Sequence, residues 1–396
     1  MRVLLGAFGD PGHAFPMLAL GEELVARGHA VALQTWRRWE EPAVAAGMTF
    51  AAAPEYQVFP TRERPLKPYE AAVRAATETQ PVVRDFAPDI AVADILTPAP
   101  ALAAELAGVP VATLVPHLHP HLPPGFPPYA IGARLPRTAA GRTLWRATDR
   151  LVAIGLEQGR REYNECRARL GLGPLPWVHT GLSRSLTLVA TLPQLEYPRD
   201  WPAWLRIVGP LMWEPPGERV DPPAGDGPVV LVAPSTAQDP EHRLLRAALA
   251  GLADEPVRVI ATSNGRDPSP PVAAPGNAVL VPWLSYAQTM PACDLVVAHG
   301  GHGTLMRALA CGCPVVLSPA GGDMAENAAR VDRARLGVRL PRRLCTPAGV
   351  RLAVRRALRR PGIAPSVRRV AAWIAAHDGR ARAAAELEAW VSRGTP

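Results

Sequence analysis

The first half of the chain alternates short runs of consecutive apolar residues with longer stretches of helical periodicity. Buried strands of a parallel sheet have such continuous apolar runs, and their alternation with helices is typical of βαβ units. The predicted strands are Val3–Phe8, His29–Thr35, one at Phe50, Ile90–Ala93, Val109–Val115, Leu186–Ala190 and Arg206–Val208. The predicted helices are His13–Arg27, Pro68–Phe86, Pro98–Ala107 and a long charged one over about Thr138–Leu170.

A segment with the composition of a linker, WEPPGERVDPPAGDGP at 213–228, interrupts this rhythm. After it the alternation starts again, and the tail from Pro347 onward has a helical pattern rich in alanine and arginine. The predicted strands of this half are Val229–Ala233, Val257–Thr262, Val279–Val281, Leu295–His299 and Val315–Ser318, and its helices are His242–Ala250, Gly303–Ala310 and Ala325–Ala334.

The two similar halves predict an α/β protein with two doubly wound, Rossmann-like domains that face a cleft. We expect a first domain over 1–215, a second over 225–380, and a final helix over 381–396 that can pack back on the first domain. Ligands of such sheets bind at the carboxyl ends of the strands, where the strand order reverses. Candidate site residues should therefore follow strands directly.

Composition and charge limit the classes of partner that the chain is expected to bind. The 396 residues carry a net charge of +8, and Lys67 is the one lysine among 43 basic residues. The arginines are scattered apart from one dense stretch at 351–369, so we expect no nucleic-acid partner. A basic chain suits an anionic ligand such as a phosphate, and solubility alone is the alternative explanation.

Five cysteines without a CxxC pair indicate neither a disulfide framework nor a zinc ribbon, and they fit a reducing cytoplasm. The apolar stretch at the start of the sequence is too short for a secretory signal. No run of about 18 apolar residues is unbroken, which predicts no transmembrane helix.

The segment Gly9–His13 directly follows the first predicted strand. Its glycines do not form GxGxxG, and the second predicted strand ends at Gln34-Thr35 without an acidic residue, so the pattern does not predict NAD binding. His13 is a candidate general base, because an imidazole has an ordinary pKa near 6.5. The alternative is a tight strand-to-helix turn.

Asp94 follows another predicted strand and should reach the same sheet edge, where a carboxylate could orient the His13 ring. Asp89 precedes that strand and should lie at the opposite edge. A helix cap is the alternative role for Asp94.

In the second half, His299–Thr304 (HGGHGT) lies at a strand end and opens a helix. Glycines let the backbone approach a ligand, and free N–H groups with the helix dipole bind phosphate. Ser235 and Thr236 form a second hydroxyl-bearing turn at the same edge, and Asp323 follows a later strand. A donor contact and a helix cap are both open for these three residues.

The run from Trp283 to Ala329 resembles the nucleotide-sugar motif of family 1 glycosyltransferases of the GT-B fold. It is most similar to the bacterial enzymes that glycosylate macrolides and other natural products. The matching pieces are Trp283, HGGHGT at His299–Thr304, ACGCP at Ala310–Pro314 and GGDMAEN at Gly321–Asn327. In addition, Val208–Pro210 resembles the pre-linker signature, and GDPGHAFP at Gly9–Pro16 resembles the GxxGHxxP acceptor loop.

The resemblance implies a role for each candidate. His13 would deprotonate the acceptor hydroxyl, with Asp94 as its partner, and Trp283 would stack on the nucleobase. The remaining donor contacts would come from Ser235, Thr236, His299, Gly301, His302, Gly303 and Thr304 around the diphosphate, and from Asp323 and Met324 at the sugar.

Two departures from the family bear on the donor. Many relatives have a glutamate where this chain has Arg307, and that glutamate typically holds ribose hydroxyls. Its absence is compatible with a dTDP donor, because thymidine lacks the 2′-hydroxyl. Met324 stands where the family has glutamine, and a thioether cannot donate to a hydroxyl. A deoxysugar is therefore favoured over glucose.

The proline-rich loop Pro116–Pro136 falls where relatives line the acceptor pocket. His117, Phe126 and Tyr129 in this loop suit an apolar, aromatic acceptor. The HLHPH run at His117–His121 could also ligate a metal, but alternating histidines in an irregular loop have no fixed facing geometry. We therefore predict no metal site.

The sequence thus predicts an inverting glycosyltransferase that moves a sugar from a nucleoside-diphosphate donor to a small hydrophobic natural-product acceptor, without a cofactor. A homodimer is one candidate assembly. A nucleotide-sugar epimerase or hydrolase of the same fold is an alternative that the GxxGHxxP loop disfavours. The other alternative is a catalytically silent sugar-nucleotide-binding partner that activates another transferase, and His13 disfavours it.

Overall fold

The computed structural model describes residues 1–55, 68–179, 181–235, 239 and 241–394. They form two sheets, one in each half of the chain, and neighbouring strands pair in parallel. The first sheet contains β1 (Arg2–Gly6), β2 (Ala30–Thr35), β3 (Thr49–Ala52), β4 (Ile90–Asp94), β5 (Val111–Val115), β6 (Thr187–Val189) and β7 (Leu205–Ile207). The second contains β8 (Val229–Ala233), β9 (Arg258–Thr262), β10 (Ala278–Val281), β11 (Leu295–Ala298), β12 (Val315–Leu317) and β13 (Gly337–Arg339).

Helices cover both sheets. The first half has α1 (Pro11–Ala26), α2 (Glu40–Ala45), α3 (Pro68–Phe86), α4 (Pro98–Leu106) and α5 (Ala139–Arg169). The second half has α6 (Arg243–Leu252), α7 (Tyr286–Thr289), α8 (His302–Ala310), α9 (Asp323–Ala334), α10 (Pro347–Arg359), α11 (Ile363–Ala376) and α12 (Gly379–Ser392). Short 3₁₀ turns lie at Arg37–Trp39, Met290–Ala292 and Arg342–Leu344.

The strand order confirms the doubly wound α/β prediction. The first sheet runs β3-β2-β1-β4-β5-β6-β7, so the order reverses between β1 and β4. The second runs β10-β9-β8-β11-β12-β13 and reverses between β8 and β11. A crevice forms at the carboxyl ends of strands on either side of such a reversal. His13, Asp94 and His299–Thr304 lie at these reversals, at the carboxyl ends of β1, β4 and β11 or in the loop and helix that follow.

Apolar runs locate the strands well, because both faces of these sheets are covered. All five residues of β8, the run VVLVA, are buried, and the observed strand has the predicted bounds. Asp89 accepts the Arg2 N–H at 2.7 Å, which places it at the amino-terminal edge as expected. The short edge strand β13 was missing from the predictions, because Gly-Val-Arg has too little apolar character to mark a strand.

The last helix packs against the first half of the chain. Ala383, Leu387 and Trp390 of α12 are buried in the apolar core of the first sheet and α1. The chain crosses back beside the linker, where a Cβ placed on Gly379 would lie 2.4 Å from the Pro210 carbonyl oxygen. The domain boundaries themselves stay a prediction.

A buried ion network joins the halves behind the cleft. Arg330 of α9 is fully buried, and its Nη1 donates to Glu196 Oε2, beyond β6, at 2.5 Å. Its Nε donates to Glu326 at 2.9 Å, and its guanidinium lies 4.2 Å from the ring centroid of Tyr197. Glu196 also accepts the backbone N–H of His119 at 2.8 Å. The network therefore fixes α9 against the first half.

The described helices include none with both the length and the apolar character needed to span a bilayer.

Candidate active site

His13 and Asp94 form a hydrogen-bonded pair at the switch point of the first sheet. His13 lies in the first turn of α1, after β1, and Asp94 is the last residue of β4. The His13 Nδ1 donates to Asp94 Oδ1 at 2.8 Å, and Asp94 Oδ2 also accepts the Phe8 N–H at 3.4 Å. Thr97, not Asp94, occupies the cap position of α4. The carboxylate therefore orients the ring instead of capping a helix.

The surroundings of His13 make it a stronger base than a free histidine. Burial lowers the pKa of the imidazole, but the hydrogen bond and charge of Asp94 outweigh this effect, and the pKa is raised above 6.5. Asp323, from the second half, adds to the increase. With Nδ1 occupied by Asp94, Nε2 is the nitrogen that can take a proton from a ligand.

The loop after β5 brings His117 and Tyr129 beside this pair. The rings of His13 and His117 lie 6.0 Å apart, and the His117 Nδ1 donates to the Leu118 carbonyl at 2.8 Å. The Tyr129 ring stacks on His117 with centroids 6.3 Å apart. Burial lowers the pKa of His117, so an uncharged ring and an aromatic ring flank the base.

Phe126, the third predicted acceptor residue, lies elsewhere. Its ring packs against Tyr197 at 5.6 Å and lines a separate cavity of the first half. The structure does not bring it together with His117 and Tyr129.

Across the cleft, the loop after β11 approaches the start of α9 closely. Gly300 has φ +94°, and a Cβ there would lie 3.0 Å from the Met324 carbonyl oxygen. Gly301 leaves room for the His299 ring, since a Cβ on it would lie 2.4 Å from His299 Nε2. The buried Asn327 donates to the Gly300 carbonyl at 2.9 Å and holds the loop on α9.

The sequence pattern gives Asn327 no role beyond its place in the GGDMAEN motif. Its signal in the sequence is a polar residue on the apolar face of the predicted helix, and in the structure it has no exposed surface.

His299 at the end of the loop is half-buried, His302 at the start of α8 is buried, and the two side chains differ in their contacts. The His299 Nδ1 donates to the Ala233 carbonyl at 3.3 Å, and burial lowers the pKa of this ring. The His302 ring lies between Ala190 O of the first half and Asn327 Oδ1, each at 3.2 Å. Burial lowers the pKa of His302 to about 4, so the neutral ring donates to one of these two oxygens.

A cavity of about 180 Å³ opens between the halves at this point. On one side it is lined by the start of α1, and on the other by the start of α8, which begins at His302 after Gly301. The first N–H groups of an α-helix have no partner within the helix, so they can meet an anion. Predicted residues on this wall are Trp283, His299, Gly301, His302, Gly303 and Thr304.

Trp283 is 44% exposed, and its indole lies on the wall of this cavity. A large apolar ring in contact with solvent at a cleft is suited to stacking on a flat ligand. Beside it, the Tyr286 hydroxyl donates to Asn264 Oδ1 at 3.0 Å, and Asn264 donates to the Pro234 carbonyl at 2.6 Å.

Glu214 enters the same wall from the linker, and the sequence analysis missed it. Its Oε1 accepts Ser285 Oγ–H at 2.5 Å and the Ala287 N–H at 2.9 Å, and its Oε2 lies 3.9 Å from Arg307 Nε. Arg307, the residue that departs from the family, therefore faces a carboxylate supplied by another segment. A lone acid in a proline-rich linker gave no sequence signal.

Asp323 opens α9 and acts on histidines of both halves. Its charge contributes to the raised pKa of His13 and opposes the decrease that burial causes at His299. Met324, the next residue, is only 8% exposed and contacts Gly300.

Ser235 is buried after β8, and Thr236 lies outside the described residues. Within the described part of the chain, no cluster of three or more histidine, cysteine, aspartate or glutamate side chains could hold a metal ion.

Comparisons with known proteins agree with this geometry. Residues 246–389 match the family described as erythromycin biosynthesis protein CIII-like, C-terminal domain. The chain is 29% identical over 400 residues to 4′-demethylrebeccamycin synthase of Lentzea aerocolonigenes, covering 91% of this chain and 92% of that protein. It is 32% identical over 250 residues to O-mycaminosyltylonolide 6-deoxyallosyltransferase of Streptomyces fradiae, covering 60% and 58% of the two chains.

Solved structures agree as well. CalG4, the calicheamicin glycosyltransferase, superimposes with a TM-score of 0.74 at 26% identity, and all of both chains is covered. The glycosyltransferase VinC in complex with dTDP superimposes with a TM-score of 0.71 at 18% identity, again over the whole of both chains.

The fold, the facing switch points and these relatives define a glycosyltransferase of the GT-B fold. Residues 246–389 are similar to the EryCIII-like C-terminal domain, and the relatives and structural neighbours of the chain are glycosyltransferases of macrolide and other natural-product biosynthesis.

Proposed function

We propose that this enzyme is an inverting glycosyltransferase that transfers a deoxysugar from a dTDP-linked donor to a hydroxyl of a small, hydrophobic natural product. The observation that carries the proposal is the His13–Asp94 pair, with its 2.8 Å hydrogen bond, directly after Pro11 and Gly12, which line the same cavity as the amino terminus of α8. A displacement at a sugar carbon needs a base for the attacking hydroxyl and an anion site for the leaving diphosphate. The base on one side and the helix terminus on the other meet these two needs.

In the proposed reaction, His13 Nε2 takes the proton of the acceptor hydroxyl as its oxygen attacks the anomeric carbon. The new carbon–oxygen bond forms as the bond from that carbon to the diphosphate oxygen breaks. Asp94 stabilises the imidazolium that results. Since attack comes from the His13 wall and the diphosphate departs toward α8, the configuration at the anomeric carbon inverts.

The negative charge that develops on the leaving diphosphate requires a positive field. The α8 terminus offers N–H groups and a partial positive charge, and His302 and Gly303 contribute through their backbone. The ring of His302 is occupied by Ala190 and Asn327, so this role falls to its backbone N–H. We propose that the reaction needs no metal, because the protein supplies this field.

The test is an NMR time course of the enzyme with a dTDP-deoxysugar and a hydrophobic acceptor that carries a hydroxyl group. Formation of a glycoside whose anomeric configuration is opposite to that of the donor supports the proposal. A product of unchanged configuration contradicts the inverting mechanism. Consumption of the donor at the same rate without acceptor would instead identify a hydrolase.

Trp283→Ala is expected to weaken thymidine diphosphate binding by about 5- to 150-fold, because stacking on an aromatic ring contributes about 1–3 kcal/mol per base. Trp283→Phe is the matched control, since it keeps a ring on the cavity wall and should retain most of the affinity. Calorimetric titration of both variants gives the measurement. If Trp283→Ala binds thymidine diphosphate as tightly as Trp283→Phe does, the nucleobase does not stack on this side chain.

The donor sugar is tested through Met324. We expect the protein to bind a dTDP-linked deoxysugar more tightly than UDP-glucose, because a hexose hydroxyl facing Met324 would lack a hydrogen-bond partner. Met324→Gln should reduce the ratio of the two dissociation constants by about 2- to 12-fold, because one typical hydrogen bond contributes that much to affinity. Calorimetry with both donors provides the comparison, and equal or tighter UDP-glucose binding by the unmodified protein removes the case for a deoxysugar.

A further inference from the structure

A turn of the first half holds the loop that leads to His13. The turn is the run WRRW at Trp36–Trp39, directly after β2 (the WRRW turn). The Trp39 Nε1 donates to the Gly9 carbonyl at 2.8 Å, and the Arg38 Nε donates to the same oxygen at 3.1 Å. The Arg38 Nη2 donates to it as well. A carbonyl oxygen has two lone pairs, so two side chains of the turn occupy this acceptor.

Trp36, the first residue of the turn, contacts the same glycine. A Cβ on Gly9 would lie 2.0 Å from the Trp36 ring, so only a glycine fits against this indole. The Arg38 guanidinium lies 5.0 Å from the ring centroid of Trp36 and 4.9 Å from that of Trp39. Contact with two aromatic rings holds the guanidinium in place although the arginine is exposed. The WRRW turn therefore fixes the position of Gly9.

Gly9 lies between two residues that contact the His13–Asp94 pair. Before it, the Phe8 N–H donates to Asp94 Oδ2 at 3.4 Å, and the Phe8 ring meets the His13 ring edge-on with centroids 6.0 Å apart. After it, the Asp10 carbonyl accepts the His13 N–H at 2.9 Å. A displacement of Gly9 would move both neighbours, and with them the hydrogen bond between His13 and Asp94.

We propose that Arg38 and Trp39 are positioning residues of the transfer reaction, which act on the His13–Asp94 pair through the Gly9 carbonyl. The inference rests on the proposed function, in which His13 is the base. Neither side chain is among the described residues that line the cavity between the halves, so we expect both to act on the base and not on donor binding. Proton transfer requires the base within hydrogen-bond reach of the acceptor hydroxyl, and a small displacement of the base slows it strongly.

Trp39→Phe removes one donor and keeps a ring beside Phe15, whose centroid lies 5.2 Å away. We expect turnover to fall by about 2- to 12-fold, the value of one typical hydrogen bond. Arg38→Met removes the other donor and should also lower turnover, and the double variant should lose more than either one alone. Thymidine diphosphate should bind all three variants as tightly as the unmodified protein in calorimetric titrations, because the nucleotide contacts lie in the other half.

Arg37→Met is the matched control for Arg38→Met. Arg37 is the neighbouring residue of the same turn, and its side chain is 76% exposed. Trp373→Phe is the control for Trp39→Phe, because Trp373 lies on α11, outside the cleft. Both controls should keep the turnover of the unmodified enzyme. Equal losses in Arg37→Met and Arg38→Met overturn the proposal, and so does unchanged turnover in Arg38→Met and Trp39→Phe.

The pKa of His13 provides a readout that does not depend on turnover. Burial lowers this pKa, and the hydrogen bond and charge of Asp94 raise it by more. The titratable side chains that act on the ring are Asp94, Asp323, Asp10 and His117. Trp39→Phe changes none of these charges, so a change in the pKa reports the position of the ring relative to Asp94. We expect the pKa to fall toward 6.5, because a longer hydrogen bond to Asp94 stabilises the imidazolium less.

NMR titration of the full-length protein with isotope-labelled histidine measures this pKa, and the His13 signal is assigned by its absence in His13→Ala. An unchanged pKa in Trp39→Phe overturns the positioning role, even if the variant is less stable to heat. If Trp39→Phe fails to fold, the kinetic comparison of Arg38→Met with Arg37→Met decides, since both substitutions change exposed side chains.

The two readouts keep this proposal separate from the proposed function. If the unmodified enzyme transfers no sugar to a hydroxyl acceptor, the proposed function fails, and the NMR titration still decides whether the WRRW turn positions the His13 ring. If the unmodified enzyme is active and Trp39→Phe changes neither turnover nor the pKa of His13, the positioning role alone fails.

Discussion

Replacing His13 with alanine is expected to lower turnover by about 10²- to 10⁴-fold, the usual contribution of a general base. The acceptor hydroxyl is too weak a nucleophile until its proton leaves, and the proposed mechanism places no second base at this wall. Donor binding should change little, because the nucleotide contacts lie in the other half. Steady-state kinetics and calorimetric titration of thymidine diphosphate measure the two effects separately.

His377→Ala provides the control for this variant. His377 stacks on Trp373 at 4.4 Å, outside the cleft, so its loss should leave turnover unchanged. Near-normal turnover of His13→Ala with a hydroxyl acceptor would show that another group removes the proton.

Asp94→Asn separates positioning from proton transfer. The hydrogen bond and charge of Asp94 raise the pKa of His13 against the effect of burial, so their removal lowers it. Since the base acts in its neutral form, activity rises with pH through the pKa of His13. The acidic limb of the kcat/KM profile should therefore move to lower pH in Asp94→Asn, with a smaller loss of turnover than in His13→Ala. If the acidic limb of the kcat/KM profile stays at the same pH in Asp94→Asn, Asp94 does not raise the pKa of His13.

Arg330→Met is expected to lower the free energy of unfolding by about 3–5 kcal/mol, the range for breaking a buried ion pair. The substitution removes the cation of the buried Glu326 and leaves the buried Glu196 with the more distant Arg199, at 3.7 Å. Urea denaturation followed by tryptophan fluorescence measures the change.

Arg333→Met is the matched control, one turn along the same helix and exposed. It should change the stability by no more than about 0.5 kcal/mol. The triple variant Glu196→Gln, Glu326→Gln, Arg330→Met should recover only part of the loss, because it removes both buried carboxylates of the network but also takes the partner of Arg199, which lies 3.7 Å from Glu196. Similar midpoints for Arg330→Met and Arg333→Met would show that the network does not hold the halves together.

The sequence allowed the sheets to be predicted because their strands are buried on both faces and appear as apolar runs. The predicted helix Pro68–Phe86 has the observed bounds of α3. Where a strand lies at an edge, as β13 does, the apolar run shortens and the signal disappears. The placement of His13 and Asp94 at one sheet edge was also predictable, because both lie at the carboxyl ends of parallel strands. Their contact depends on β1 and β4 being neighbours, which the structure shows.

Contacts between the halves were not predictable. The motif containing His302 suggested a diphosphate role, yet its ring reaches Ala190 of the other half, 112 positions away in sequence. Glu214 and Phe126 show the same limit, since only the packing of the linker and the loop decides which cavity each one lines. Local periodicity carries no information about the relative placement of two domains.

Because α12 packs on the first half, the core of that half is built from two segments of the chain that the second half separates in sequence. The apolar core of the first half is completed by Ala383, Leu387 and Trp390. A fragment that ends in the linker would expose the surface of α1 that these residues cover, and we expect it to aggregate. A chain cut by a protease within 213–228 would behave differently. Its carboxyl-terminal fragment still carries α12, so the two pieces should remain associated as a nicked enzyme.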